Sequence, residues 1–211
     1  MSESTDAGLK DDLVDLPISK SEVVFDGKVW NIRRERFTLG EGEITREFMD
    51  HTGAVAILAL DDEGRVCLIR QYRHPIRARE WELPAGLMDI TGESALIGAQ
   101  RELAEEVDLV ASQWNVLVDF QTSPGGSNEA LRIYLARGLA DADEVFDRTD
   151  EEAELEKTWV SLEDIVDAVL ARDIQNSILV IGALAAVAAR ERNWATLAPG
   201  DAPWPRHPLS R

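Results

Sequence analysis

The segment GLMDITGESALIGAQRELAEEVDL, residues 86–109, constrains the fold of this chain more than any other. Gly86 and Gly92 bracket a loop, and the apolar spacing predicts a helix over about residues 94–107. On that helix Glu102, Glu105 and Glu106 stand at i, i+3 and i+4, so their carboxylates project from one face. Leu96, Leu103 and Val107 form a separate stripe that a sheet can bury. Three carboxylates on one turn repel one another unless positive charge sits among them. Hard divalent cations take oxygen ligands, and Mg²⁺ is held by a few carboxylates, waters and substrate phosphates. The spacing therefore suits a cation platform for phosphate chemistry; taken alone it also suits a solvated, Glu-rich helix face.

The rest of the chain offers the sheet. Residues 55–60 are a continuous apolar run, Asp61-Asp62-Glu63-Gly64 a turn, and residues 66–70 a return strand. A short extended piece at 81–84 leads into the loop. Further strands are expected at 116–120, 131–136 and 158–160, with the turn-rich loop Ser123-Pro124-Gly125-Gly126-Ser127-Asn128 between the first two. Ser161 is placed to cap a helix reaching about residue 172, with Glu163 and Asp164 in its first turn. Asn176 or Ser177 caps a last, apolar helix that continues to Arg192. The fold class is α/β (α+β), a mixed sheet sandwiched between helices. Ahead of it, Glu22 to Phe25, the Asp26-Gly27 turn, Lys28 to Ile32, the Gly40-Glu41-Gly42 turn and Ile44 to Met49 predict a small antiparallel β unit. Three short strands need a cover for their apolar face. The expected organisation is a flexible acidic lead-in over 1–17, the three-stranded unit over 18–50, the main domain over 51–197, and a Pro-rich tail without regular structure over 198–211.

Charge and cysteine usage narrow the function. Among 211 residues, 22 bases oppose 40 acids, a net charge of −18. That balance argues against nucleic acid as a partner, because such binding relies on neutralising phosphates with Lys and Arg. Residues 141–167 are densely acidic, with Arg148 and Lys157 their only bases, whereas Arg70, Arg73, Arg77 and Arg79 lie in a stretch without an acid. The pattern suggests a phosphate ligand bridged by metal ions, although charge runs are commonly solvated faces. Cys67 is the single cysteine, set in an apolar strand, and no disulfide can form within the chain. The N-terminus lacks a signal-peptide pattern, and the longest apolar stretch, 178–189, falls short of the ~20 residues a membrane span needs. A cytoplasmic location, away from membranes, is expected.

The segment 86–109 resembles the Nudix box: Gly, five residues, Glu, seven residues, then Arg-Glu-apolar-x-Glu-Glu-x-Gly-apolar. Here Glu93 is followed by seven residues and Arg101-Glu102-Leu103-Ala104-Glu105-Glu106-Val107-Asp108-Leu109. Two departures stand out. Six residues separate Gly86 from Glu93, and Asp108 takes the place of the glycine after the helix, where Asp tolerates the left-handed conformation of a C-cap. Gln71-Tyr72-Arg73, Trp81-Glu82-Leu83-Pro84-Ala85-Gly86 and Ser123 to Glu129 resemble the ADP-ribose pyrophosphatase subgroup of Nudix hydrolases, as does the order of parts over residues 22–195.

The resemblance implies that Mg²⁺, with Mn²⁺ a possible substitute, is bound by Glu102, Glu105, Glu106 and the carbonyl of Ala85, with Glu102 and Glu106 the stronger candidates. Glu93 and Arg101 are expected to pair and hold the loop to its helix, and Glu105 could also meet an arginine. It further implies a general base on the acidic loop, Glu151 ahead of Glu152. Arg73, Glu82 and Glu129 are expected near the substrate, Arg34, Arg36 or Trp30 near the adenine, and the N-terminal strands against the partner of a homodimer. His51, His74 and His207 show no spacing for a metal site or triad. The implied reaction is hydrolysis of the pyrophosphate bond of ADP-ribose to AMP and ribose 5-phosphate, a step of nucleotide metabolism. The competing expectations are a Nudix hydrolase of another nucleoside diphosphate derivative, such as a nucleotide sugar or dinucleotide, and a non-catalytic ADP-ribose-sensing module. Retention of all three box glutamates argues against the latter.

Overall fold

In the computed structural model, residues 8–143 and 155–208 are described. Contacts divide the chain into two compact units, one up to Asp50 and one from His51 onward. In the first unit the two turns produce an antiparallel sheet of β1 (Ile18–Asp26), β2 (Asn31–Leu39) and β3 (Gly42–Asp50), with β2 central. Its register sets Glu22 opposite Arg34, Arg34 opposite Glu47 and Glu35 opposite Arg46, so opposite charges face each other across the strands. Ile18, Val23, Val24 and Phe25 of β1 are exposed within this unit.

The second unit contains β4 (Ala54–Ala59), β5 (Arg65–Arg73), β6 (Ala78–Glu82), β7 (Ala85–Leu87), α1 (Ala95–Val107), β8 (Leu109–Gln121), β9 (Ala130–Asp141), β10 (Glu156–Ser161), α2 (Leu162–Ala171), α3 (Ser177–Arg190) and β11 (Ala198–Pro199). One sheet runs β11-β8-β9-β4-β7, with β4 parallel to β9 and the other pairs antiparallel; a second runs β10-β5-β6. The apolar run at 55–60 is continuous because β4 is buried on both faces. Ala56 and Leu58, with Ile133 and Leu135 of β9, join the layer containing Leu162 and Ile165 of α2 and Leu179 and Ala183 of α3. Val55 and Ile57, with Tyr134, join Ala99, Leu103 and Val107 of α1 in the opposite layer. A mixed sheet thus lies between α1 on one side and α2 with α3 on the other.

Helix ends follow local chemistry. Ser94, Ser161 and Asn176 accept backbone N–H bonds as N-caps, and Asp108 closes α1 with φ 55° and ψ 39°, the left-handed conformation its position requires. The strands β8 and β9 extend well beyond the 116–120 and 131–136 expected from apolar runs. Their outer halves are partly solvated, and paired backbone groups stabilise them without apolar side chains. The tail also departs from expectation. Ala198 and Pro199 pair with β8, and Trp204 packs in the α1-side layer. Its anchor is Arg132 of β9, only 2% exposed. Arg132 forks onto Asp119 at 2.7 and 2.8 Å, donates to the carbonyls of Ala202 at 2.7 Å and Pro203 at 3.2 Å, and stacks on Trp204. Pro203 fits here because Arg132 bonds its carbonyl, which needs no N–H from the proline. Cys67, buried in β5, has its thiol pushed up to about 12 by desolvation, so it stays protonated and inert near neutral pH.

Candidate active site

The carboxylate-bearing turn of α1 lies against β7. Glu106 is 5% exposed, and its Oε2 accepts the amide N–H of Ala85 at 2.9 Å. Glu102 lies over Gly86 so closely that a methyl group there would overlap its carboxylate. Gly86 is thus required by close approach rather than by an unusual φ. Gly98, one turn earlier on α1, serves Glu93 in a similar way: a Cβ would press on Glu93 Oε2.

Arg101 organises the loop and helix together. Its Nε and Nη2 fork onto Glu93 at 3.0 and 3.1 Å, fastening the 88–94 loop to α1 as the sequence suggested. Its Nη1 donates to Glu102 Oε1 at 2.6 Å and to Glu105 Oε2 at 2.9 Å. The Glu93 bonds, followed by the charge and bonds of the other two glutamates, hold the guanidinium even more firmly protonated than usual. The positive charge that three clustered carboxylates need is therefore Arg101 in part. Among the described residues no three His, Cys, Asp or Glu side chains already converge as a ready-made metal site. The donor set is nevertheless all hard oxygen, and two of its three carboxylates are gathered at the Ala85–Gly86 strand, which fits a hard divalent cation and not a soft metal.

The other expected residues fall into pairs. Arg73, at the end of β5, donates to Glu82 at 2.9 and 2.7 Å, and Gln71 adds a longer bond at 3.4 Å. Glu82 is 2% exposed, so its charge requires this partner. Two residues expected separately near substrate are thus one ion pair. Arg70 stacks on Trp81 and pairs with Glu156 at 3.6 Å. Glu129 precedes β9 and is bonded by Thr122 Oγ1 and by His51 Nε2, the latter at 3.3 Å. Arg34 pairs with Glu47 at 2.8 Å within the N-terminal sheet, and Arg36 is exposed on the same strand. Trp30 is partly exposed and not a core residue of that unit. Glu151 and Glu152 lie outside the described residues. His51 and Arg132 were not identified from the sequence, because their partners are distant in the chain and no spacing marks them.

A mixed sheet between helices makes this an α+β protein, whose loop–helix motif sets two glutamates against an Ala-Gly strand. The chain belongs to the Nudix hydrolase family: residues 50–179 match the family model described as NUDIX domain. It is 42% identical over 197 residues to an ADP-ribose pyrophosphatase of Mycobacterium tuberculosis, covering 93% of this chain and 94% of that protein. It is 35% identical over 157 residues to an ADP-ribose pyrophosphatase of Bacillus subtilis, covering 74% and 84%. Its fold matches a crystal structure described as an ADP compounds hydrolase with a TM-score of 0.71 and 21% identity, over 87% of this chain and 98% of that one. Among the described residues no helix is long and apolar enough to cross a membrane.

Proposed function

We propose that this protein hydrolyses the pyrophosphate bond of ADP-ribose to AMP and ribose 5-phosphate in the presence of Mg²⁺. The observation that carries this reading is the pair of box carboxylates, Glu102 and Glu106, gathered at Ala85–Gly86 with Glu105 on the same helix face, in a chain that spans 94% of an ADP-ribose pyrophosphatase at 42% identity. Glu102 and Glu106, with Glu105 and the Ala85 carbonyl, would hold the cation. The chemistry such a cation would supply is neutralisation of phosphate charge and activation of water for attack. Arg73, whose Nε and Nη2 are held by the buried Glu82, is the arginine that would meet a substrate phosphate with the rest of its guanidinium. Glu129 is a hydrogen-bond acceptor for the ribose or its neighbouring groups, and Glu151, with Glu152 second, is the general base that takes a proton from the attacking water.

Arg34 and Arg36 would lie near the adenine. The exposed Ile18, Val23, Val24 and Phe25 support a homodimer in which the partner covers β1. The reduced, buried Cys67 supports a cytoplasmic location.

The direct test follows AMP and ribose 5-phosphate by chromatography, with ADP-ribose and a panel of nucleotide sugars and dinucleotides. ADP-ribose is expected to be the best substrate, EDTA to abolish turnover, and Mg²⁺ or Mn²⁺ to restore it. Preference for another nucleoside diphosphate derivative would replace the substrate assignment, and turnover unaffected by EDTA would remove the metal from it. Gly86→Ala tests the cradle. The added methyl expels Glu102 from its place, so kcat/KM is expected to fall about 10–100-fold, with thermal unfolding within a few degrees of wild type. Wild-type activity in this variant would show that Glu102 does not act from the position over Gly86.

A further inference from the structure

Residues 51–53 join three segments that meet around the site. The imidazole of His51 is buried. Its Nδ1 accepts the Gly53 amide N–H at 2.9 Å, so that nitrogen carries the lone pair and the ring proton sits on Nε2. Nε2 faces Glu129 Oε1 at 3.3 Å. The backbone N–H of His51 donates to Asn128 Oδ1 at 2.7 Å, and the amide of Glu129 is held by Ser127 Oγ at 3.1 Å. The loop is closed at its other end by bonds from Gly126 and Ser127 to the Ser123 carbonyl. On the far side, the Gly53 carbonyl accepts the N–H of Met88, the first residue after β7, at 3.0 Å. The same Gly53 packs so closely on His207 of the tail that a Cβ would overlap the ring, and its φ of +87° also favours glycine.

We propose that His51 is a positioning residue: through Nε2–H it aims the Glu129 carboxylate and ties the 122–129 loop to the strand that carries Ala85 and Gly86. This deepens the proposed hydrolysis and rests on it for the role of Glu129. A histidine suits the task because one ring both accepts from Gly53 and donates to Glu129 along a fixed line. Burial lowers the His51 pKa against the opposing pull of Glu129, which keeps the ring in the neutral form that can do both. The signal is invisible in the sequence because Gly53 is two residues away while Glu129 is brought near by the fold.

The test combines kinetics with ¹⁵N NMR of the histidine side chains in the full-length protein. The wild-type His51 resonances are expected to show the Nε2–H tautomer, and the Nε2 signal to move in Glu129→Ala. His51→Leu is expected to lower kcat/KM for ADP-ribose about tenfold, chiefly through KM. Glu129→Ala should do the same, and the double variant should be no worse than the poorer single one, because both remove one interaction. His51→Gln keeps an acceptor and a donor on one side chain and should recover most of the loss. An Nδ1–H tautomer, an Nε2 signal indifferent to Glu129→Ala, or multiplicative losses in the double variant would each overturn the assignment. Wild-type protein that leaves ADP-ribose intact would refute the proposed activity instead, and the two NMR readouts would still decide whether His51 holds Glu129.

Discussion

Glu106→Gln is expected to lower kcat/KM for ADP-ribose by at least about 100-fold while the protein remains folded. The expectation follows from where this carboxylate lies. It is buried between α1 and β7, and its Oε2 accepts the Ala85 amide N–H. A glutamine amide oxygen can accept the same bond, so the stability cost is confined to about 1 kcal/mol, that of weakening one charged hydrogen bond. What the substitution removes is the negative charge, which a cation needs and an amide cannot replace. Turnover measured at saturating Mg²⁺ alongside thermal unfolding separates the two effects. A variant that melts like wild type yet turns over normally would exclude Glu106 from the metal site. Glu105→Gln provides the contrast: Glu105 is more exposed and leans on Arg101, so a loss of about tenfold or less is expected.

Arg132→Ala is expected to cost about 3–5 kcal/mol of unfolding free energy, because two tail carbonyls lose a charged donor, at about 1–3 kcal/mol each, and packing under Trp204 is lost as well. Its guanidinium holds Asp119 and two tail carbonyls, and it supports the Trp204 ring. Truncation leaves the carbonyls of Ala202 and Pro203 without this donor and opens a void beneath Trp204. For a unit of this size the loss corresponds to roughly 10 °C in Tm, readable by calorimetry. Asp119→Asn should cost far less, because Asp119 is partly exposed and Arg132 keeps its carbonyl partners. A loss below about 1 kcal/mol in Arg132→Ala would show that the tail is peripheral to stability.

These two residues illustrate different degrees of legibility. Glu106 could be identified because its neighbours on the helix face are three and four residues away, and helical geometry is local. The same locality exposed Asp108 as a C-cap, Ser161 and Asn176 as N-caps, and the continuous run of β4 as a strand buried on both sides. Arg132 sits in a strand whose alternation is apolar, and nothing nearby announces a buried cation; its partners are 13 and about 70 residues distant in the chain. The tail read as irregular because prolines suppress periodicity, yet carbonyls bound by a side chain impose no periodicity at all. The ends of β8 and β9 were missed for a related reason, since ladder bonds leave no trace in side-chain pattern when one face is solvated.

The site divides along the same line. The sequence by itself determined which groups α1 presents: three glutamates on one face, an arginine preceding them, and a helix stop at Asp108. Spacing along a helix fixes relative position to within a turn. Only the tertiary structure decided what those groups meet. It placed Glu102 over Gly86, Glu106 on the Ala85 amide, Arg101 on three carboxylates at once, Arg73 on Glu82 and His51 on Glu129. Such pairings depend on sheet order and on close approach between elements far apart in the chain, quantities for which local propensity carries no term.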